Sequence, residues 1–184
     1  MIQLSLSELA SALDGQLFGS GDVLVTGSVE TDSRLIETGS LFFAKPGEFD
    51  DGHNFVASAL EAGAIAAVVE RRIDIAIPQI VVSNSVAALG ALAAYVLAQI
   101  RTKTDIKVIG VTGSNGKTTT KEMLQSILKI AGPSYATYGN LNNHIGLPLT
   151  LCDLPDSLRY AVLELGTSKP GDMELLLSMA RPTV

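Results

Sequence analysis

Ile106–Lys121 reads IKVIGVTGSNGKTTTK. A β-branched run, Ile106 to Val111 with one lysine, stops at a Gly-rich turn, and Lys117 with three threonines then opens a helix. Strand, turn and helix in that order make a polyphosphate cradle. Bare backbone at Gly113 and Gly116 can approach phosphate oxygens, and the N–H groups of the turn and the helix start, from Ser114 and Asn115 to Thr119, point at them. Lys117 would neutralise charge on the β- and γ-phosphates, and the Thr118 hydroxyl is placed to ligate Mg²⁺. The match to G-x-x-x-x-G-K-[ST] lies in its second half: the first glycine of that pattern falls on Val111, and Gly110 sits one place early. A Gly-Ser turn that binds nothing is the alternative. The coincidence of strand, Gly-Lys-Thr and helix start favours an enzyme using ATP or GTP.

The 184 residues, 47% hydrophobic and 17% charged, suffice for one large or two small globular domains. A net charge of -6 argues against nucleic acid as a partner. The single cysteine, Cys152, excludes an internal disulfide and suits a reducing compartment. The N-terminus lacks a basic n-region and carries Glu8, unlike a signal peptide. Val86 to Ile100 is the longest uncharged apolar segment, and it reads as a buried core helix too short to span a bilayer. A cytoplasmic protein without membrane contact is expected.

Toward the N-terminus, Ser5 and Glu8 form a capping box for a helix that Gly15 ends. Val23 to Val29 alternates as a strand, and Thr31-Asp32-Ser33-Arg34 follows as a polar turn, by itself an ordinary solvated loop. Leu41–Ala44 is a strand closed by Lys45-Pro46-Gly47; the loop Glu48–Asn54 leads into a helix Phe55–Ala62 stopped by Gly63. Ala64–Val69 and Gln79–Val82 are further strands, and Asn84 or Ser85 caps the Ala-rich helix to Ile100. The polar stretch from Arg101 to Asp105 lacks periodicity and marks a boundary between domains 1–102 and 103–184.

Toward the C-terminus, Lys117–Ala131 is a helix with Met123, Leu124, Ile127, Leu128 and Ala131 on one face. Ser134–Thr137 is a second strand and Gly139–Gly146 a polar loop; Leu147–Cys152, interrupted by Pro148, is a helix start or an irregular segment. Tyr160–Leu165 is a buried parallel strand, Asp172 caps a helix Met173–Ala180, and Pro182–Val184 starts another strand. Such a β-α-β-α-β series belongs to a doubly wound sheet needing more than three strands, so the chain is expected to be a piece of a longer protein.

Ligands of open α/β sheets lie beyond the carboxyl ends of the strands. Gly113 to Thr118 falls there, and so does Glu164, a carboxylate among Val162, Leu163 and Leu165 that is costly unless paired or metal-bound. Glu164 is assigned to Mg²⁺ beside Thr118, with a buried salt bridge as the alternative. Asn140, Asn142 and Asn143 can reach the same crevice or merely form the turn. His53 and His144 are isolated loop histidines, with no zinc spacing.

Three ordered motifs, GVTGSNGKTTTKEM (Gly110–Met123), GNLNNHIGLPLTL (Gly139–Leu151) and LELGTSKPGDM (Leu163–Met173), resemble the ATP-binding and substrate loops of the Mur ligases. TDSR (Thr31–Arg34) and GSLFFAKPGEFDDGHNF (Gly39–Phe55) resemble their N-terminal domain, so the likeness covers nearly the whole chain. It implies a small N-terminal α/β domain holding the uridine nucleotide end of the substrate, then an incomplete doubly wound P-loop ATPase domain. Lys121-Glu122 and NN-x-IG-x-P favour the family's last cytoplasmic step, in which D-Ala-D-Ala is joined to UDP-N-acetylmuramoyl-tripeptide through an acyl phosphate. A Thr-Thr-Pro motif typical of the tripeptide-adding relative is absent. Another Mur-type ligase, for a different amino acid or a folate-like substrate, and a non-catalytic nucleotide-binding module are the alternatives. By the resemblance, Lys117 and Glu164 are catalytic, the Gly113–Thr119 turn holds ATP, and Thr118 and Glu164 hold Mg²⁺. Thr31, Asp32, Ser33 and Arg34 then meet the uridine diphosphate, and Asn140, Asn142, Asn143 and Thr167 the muramoyl-peptide. The family's histidine on a second metal, carbamylated lysine and amine-binding domain are expected beyond Val184, leaving this chain, a monomer, inactive in ligation on its own.

Overall fold

A computed structural model of the chain describes residues 3–47 and 50–184; Glu48 and Phe49 of the Glu48–Asn54 loop lie outside the described residues. The chain divides into two compact units, Met1–Leu92 and Ala93–Val184.

The first unit opens with β1 (Leu4–Ser5) and α1 (Leu6–Ala12). The expected capping box is present: the Ser5 hydroxyl accepts from the Glu8 N–H at 3.3 Å and Glu8 accepts from the Ser5 N–H at 2.8 Å. There follow β2 (Gln16–Phe18), β3 (Leu24–Val25), β4 (Val29–Glu30), β5 (Leu41–Phe43), α2 (Val56–Ala62), β6 (Ala66–Val69) and β7 (Gln79–Val81). A five-stranded sheet has the order β2-β7-β6-β5-β4, parallel except for β2 against β7. All four residues of β6 are buried, the mark of a central parallel strand covered on both faces.

The single strand expected over Val23–Val29 is two strands in different sheets, because β3 pairs with β1 and β4 with β5. The break has a steric cause. The Thr26 and Gly27 N–H groups both donate to the Gly39 carbonyl, and a Cβ on Gly27 would come within 2.6 Å of the Ser40 nitrogen. The backbones touch there, and the chain turns out of one sheet into the other.

α3 (Ser85–Lys103) contains the division between the units and runs three residues past the expected end at Ile100. Asn84 is its cap, accepting from the Ala87 N–H at 2.8 Å. The last turn is held by hydroxyls rather than by an apolar face: Thr102 Oγ1 donates to the Gln99 carbonyl at 2.7 Å and Thr104 Oγ1 to that of Ile100 at 3.2 Å. Arg101 and Lys103 also suit the negative end of the helix dipole. At 19 residues and a mean hydropathy of 1.3 the helix is long and apolar enough to cross a membrane, contrary to the expectation that it is too short. Its buried positions, Leu89, Leu92, Ala93, Val96, Leu97 and Ile100, recur at the three-and-four spacing of a core helix.

In the second unit β8 (Lys107–Val111), α4 (Lys117–Ala131), β9 (Ser134–Ala136), α5 (Gly146–Cys152), β10 (Tyr160–Glu164) and α6 (Asp172–Ala180) form a parallel sheet in the order β8-β10-β9 with its connecting helices. Pro148 is tolerated because it stands in the first turn of α5, where its missing N–H has no intrahelical partner to lose. Pro182–Val184 lies along the outer edge of β8, with the Thr183 N–H donating to the Val108 carbonyl at 2.7 Å and the Gly110 N–H to that of Val184 at 2.9 Å. Two expectations are corrected. On α4, Met123 and Ile127 are each 62% exposed, whereas Leu124 and Leu128 are half-buried and Lys121 is the buried position, so the apolar spacing marks only part of the inward face. Asp172 is the first residue of α6 and not its cap: its carboxylate accepts from the Ser168 and Lys169 N–H groups, each at 2.8 Å.

Candidate active site

Register decides the chemistry of the second unit. Glu164 ends β10 opposite Val111, the last residue of the neighbouring strand β8, so the carboxylate stands beside the loop that β8 feeds. Within that loop Gly116 has φ 75°, and a Cβ there would meet nothing within 4 Å. Glycine is needed for its backbone conformation, not to avoid a clash. Residues 112–116 are exposed, their N–H groups ahead of a 15-residue helix. Lys117 folds back over the loop, its ammonium donating to the Gly113 carbonyl at 2.8 Å.

Glu164, only 3% exposed, is held at both oxygens. Oε2 accepts from the Thr118 hydroxyl at 3.0 Å and Oε1 from the Asn142 amide at 2.9 Å. The Lys121 ammonium lies 4.0 Å from Oε2. Asn142 arrives from the loop after β9, itself fixed by the Gly166 N–H on the Asn142 carbonyl at 2.8 Å. The start of α4, fed by β8, and the loop after β9 therefore converge on a carboxylate at the end of the strand between them, β10.

Of the other expected residues, Asn143 spends its side-chain oxygen on the N–H groups of Ile145 and Gly146, at 3.0 and 2.9 Å, and so shapes the entry to α5. Asn140 and Thr167 are exposed at the rim, together with Ser114, Asn115 and Thr119. Sequence reasoning missed Lys121 as a site residue, although its spacing of three from Thr118 places both on one helix face. It also missed Thr137, whose hydroxyl accepts from the Glu164 N–H at 3.0 Å.

Thr31, Asp32, Ser33 and Arg34 line a cleft of about 740 Å³ in the first unit, with Lys45, Asp50, Phe55 and Ser58. Asp32 caps the 3-10 turn Ser33–Leu35 by accepting from the Arg34 N–H at 3.0 Å, and it grips the Arg34 guanidinium side-on at 2.9 and 2.6 Å. That guanidinium holds the Asp32 carboxyl down at about 2. His53 is not an ordinary loop histidine. It is 4% exposed, Nδ1 lies 2.6 Å from Asp51 Oδ1, and Nε2 accepts from the Glu70 N–H at 2.9 Å. A backbone N–H aimed at Nε2 puts the ring proton on Nδ1. Cys152 is fully buried and its thiol pushed up by desolvation, which makes it inert.

Two family models match, "Mur ligase family, catalytic domain" over residues 26–102 and "Mur ligase middle domain" over residues 111–184. Over 182 residues the chain is 42% identical to the UDP-N-acetylmuramoyl-tripeptide--D-alanyl-D-alanine ligase of Escherichia coli, covering 99% of this chain and 39% of that protein. This chain belongs to the Mur ligase family. Its fold matches a crystal structure of MurF from Acinetobacter baumannii with a TM-score of 0.90 at 40% identity, over 98% of this chain and 39% of that one. The MurF ligase of Thermotoga maritima in complex with ADP matches with a TM-score of 0.76 at 38% identity, over 86% of this chain and 36% of the other. The Mur ligase chain thus spans about two fifths of the length of these relatives.

The donor set of this Mur ligase fits a magnesium nucleotide. Thr118 and Glu164 offer hard oxygens side by side, too few to enclose an ion, which suits a cation that keeps waters and takes phosphate oxygens for the rest. The exposed turn residues and Lys117 would supply the anion side.

Proposed function

We propose that the protein is an ATP-dependent ligase that joins D-alanyl-D-alanine to UDP-N-acetylmuramoyl-tripeptide during peptidoglycan precursor synthesis in the cytoplasm. The reading is carried by the Thr118 hydroxyl on the Glu164 carboxylate, at the carboxyl ends of adjacent strands and beside the Gly113–Thr119 turn. The 42% identity to the E. coli enzyme supports this member of the family.

The turn N–H groups hold the β- and γ-phosphates, and Lys117 moves from the Gly113 carbonyl onto phosphate oxygens. Thr118 and Glu164 are the residues that would hold Mg²⁺, which supplies charge neutralisation on the transferring phosphoryl group. The γ-phosphoryl passes to the terminal carboxylate of the tripeptide, giving an acyl phosphate and ADP. The amine of D-Ala-D-Ala then attacks the acyl carbon and phosphate leaves. No side chain of the chain needs to become covalently bonded, so the contribution of the protein is positioning and electrostatics. Asn142 orients Glu164 on the side facing the peptide, with Asn140, Asn143 and Thr167 at the rim. The Thr31–Arg34 cleft offers Arg34 and Lys45 to a diphosphate and the partly exposed Phe55 ring to a uracil face.

The test is ADP release by the protein with the full family complement, given ATP and UDP-N-acetylmuramoyl-tripeptide. D-Ala-D-Ala is expected to stimulate it, and Lys117→Ala to lower turnover by about 100-fold or more. Stimulation by a different amino acid or by a folate-like substrate instead would make it another Mur-type ligase, and no ATP turnover would leave a nucleotide-binding module.

A further inference from the structure

Lys121 is 1% exposed, an ammonium buried as deeply as the leucines of the core. Its nitrogen donates to the Thr137 carbonyl at 2.6 Å, lies 3.1 Å from Glu122 Oε1 and 4.0 Å from Glu164 Oε2. Thr137 closes a ring, since its hydroxyl accepts from the Glu164 N–H at 3.0 Å and its own N–H donates to the Val162 carbonyl at 3.0 Å. α4, the end of β9 and the end of β10 are tied together at this one charge. Taking an ammonium out of water is costly, and a methionine would fill the same space without that cost. The charge is therefore present for something other than packing.

We propose that Lys121 is a positioning residue for Glu164: the buried ammonium, anchored on Thr137, supplies the fixed countercharge that aims the carboxylate at the nucleotide's metal. The inference rests on the assignment of Thr118 and Glu164 to Mg²⁺. Thr118 and Lys121, three residues apart, present a hydroxyl and an ammonium from a single helical turn to the same oxygen, Oε2, while Asn142 holds Oε1. A hydroxyl rotates freely about its bond. The lysine is pinned by a backbone carbonyl and does not.

The experiment measures ADP binding to the purified protein by calorimetry, once in EDTA and once in Mn²⁺, and reads the factor by which the metal tightens ADP. Lys121→Gln, which can still donate to the Thr137 carbonyl but carries no charge, is expected to cut that factor by about tenfold, a coupling typical of residues in one network. ADP affinity in EDTA should stay within about twofold. In a Glu164→Gln background the same substitution should have no further effect. Lys121→Met serves as the second variant if the glutamine does not fold. An unchanged metal factor overturns the proposal, as does an equal loss in both backgrounds or a parallel loss in EDTA, each of which means a merely structural lysine. If the unmodified protein shows no metal enhancement, the metal assignment itself fails first.

Discussion

The Thr118 hydroxyl donates to Glu164 Oε2 across 3.0 Å, joining residues 46 positions apart in sequence. The contact exists because β8 and β10 are neighbours in register, so that the loop after one strand and the last residue of the other end at the same level.

Glu164→Gln keeps the shape of the side chain and one acceptor, so the fold should survive while metal-dependent ADP binding and turnover fall by about 100-fold or more. Glu164→Ala should also destabilise the protein, by about 1–3 kcal/mol, because it leaves the Asn142 amide and the Thr118 hydroxyl without their acceptor and removes the carboxylate 4.0 Å from the buried Lys121 ammonium. Urea unfolding of both variants separates the two effects.

Gly166→Ala tests the loop that delivers Asn142. A Cβ at residue 166 would lie 2.7 Å from Asn142 Cγ and 2.8 Å from its Oδ1, against the tip of one side chain and not the backbone. The Asn142 amide should swing away from Glu164, with a stability cost of about 1 kcal/mol. Loss of the perturbed Asn142 side-chain amide signal in NMR, matched by the functional loss of Asn142→Ala, is the expected result.

Asp32 gives a pH prediction. Its pKa is depressed from 3.8 to about 2, chiefly by the hydrogen bond from the Arg34 side chain. A depressed carboxyl contributes stability that is present above the unfolded value and lost as pH falls through the folded one. The pair with Arg34 should therefore persist unchanged from neutrality to about pH 4 and loosen only on approach to pH 2. Carboxyl carbon shifts followed by NMR check this, and Arg34→Ala should return the midpoint toward the ordinary aspartate range.

His53→Ala removes a ring that accepts from the Glu70 N–H and bonds to Asp51, and leaves a cavity beside β6. A loss of about 2–4 kcal/mol is expected. His144→Ala, at an exposed loop position, should fall within about 0.5 kcal/mol of the parent protein. Thermal unfolding of the two variants side by side makes the comparison.

The periodic and punctuating residues of this chain are local signals, and they were legible. The Ser5–Glu8 box, the Gly63 helix stop, the Gly-rich turn before α4 and the buried run of β10 depend on neighbours within a few residues. That Glu164 has partners was also legible, since a carboxylate in an apolar strand needs them. Other features depended on groups far away in sequence. Gly27 meets Gly39 and Ser40 and splits one expected strand into two, and His53 finds its acceptor role at Glu70.

On α4 the local signal was half right, since Leu124 and Leu128 are half-buried. Met123 and Ile127 have the apolar spacing of a buried face, yet Lys121 is the residue packed under the loop, because Thr137 and Glu164 wait there with oxygens. By itself the sequence determined the succession of strands and helices in the second unit, the Gly-rich turn and the kind of chemistry its side chains can support, all set by propensity and side-chain type. Only the tertiary structure decided that β10 lies next to β8, that Asn142 and not Asn143 reaches Glu164, and that a lysine stands behind the carboxylate. Those are contacts between residues 22 to 53 positions apart, and strand register, not local sequence, brings them together.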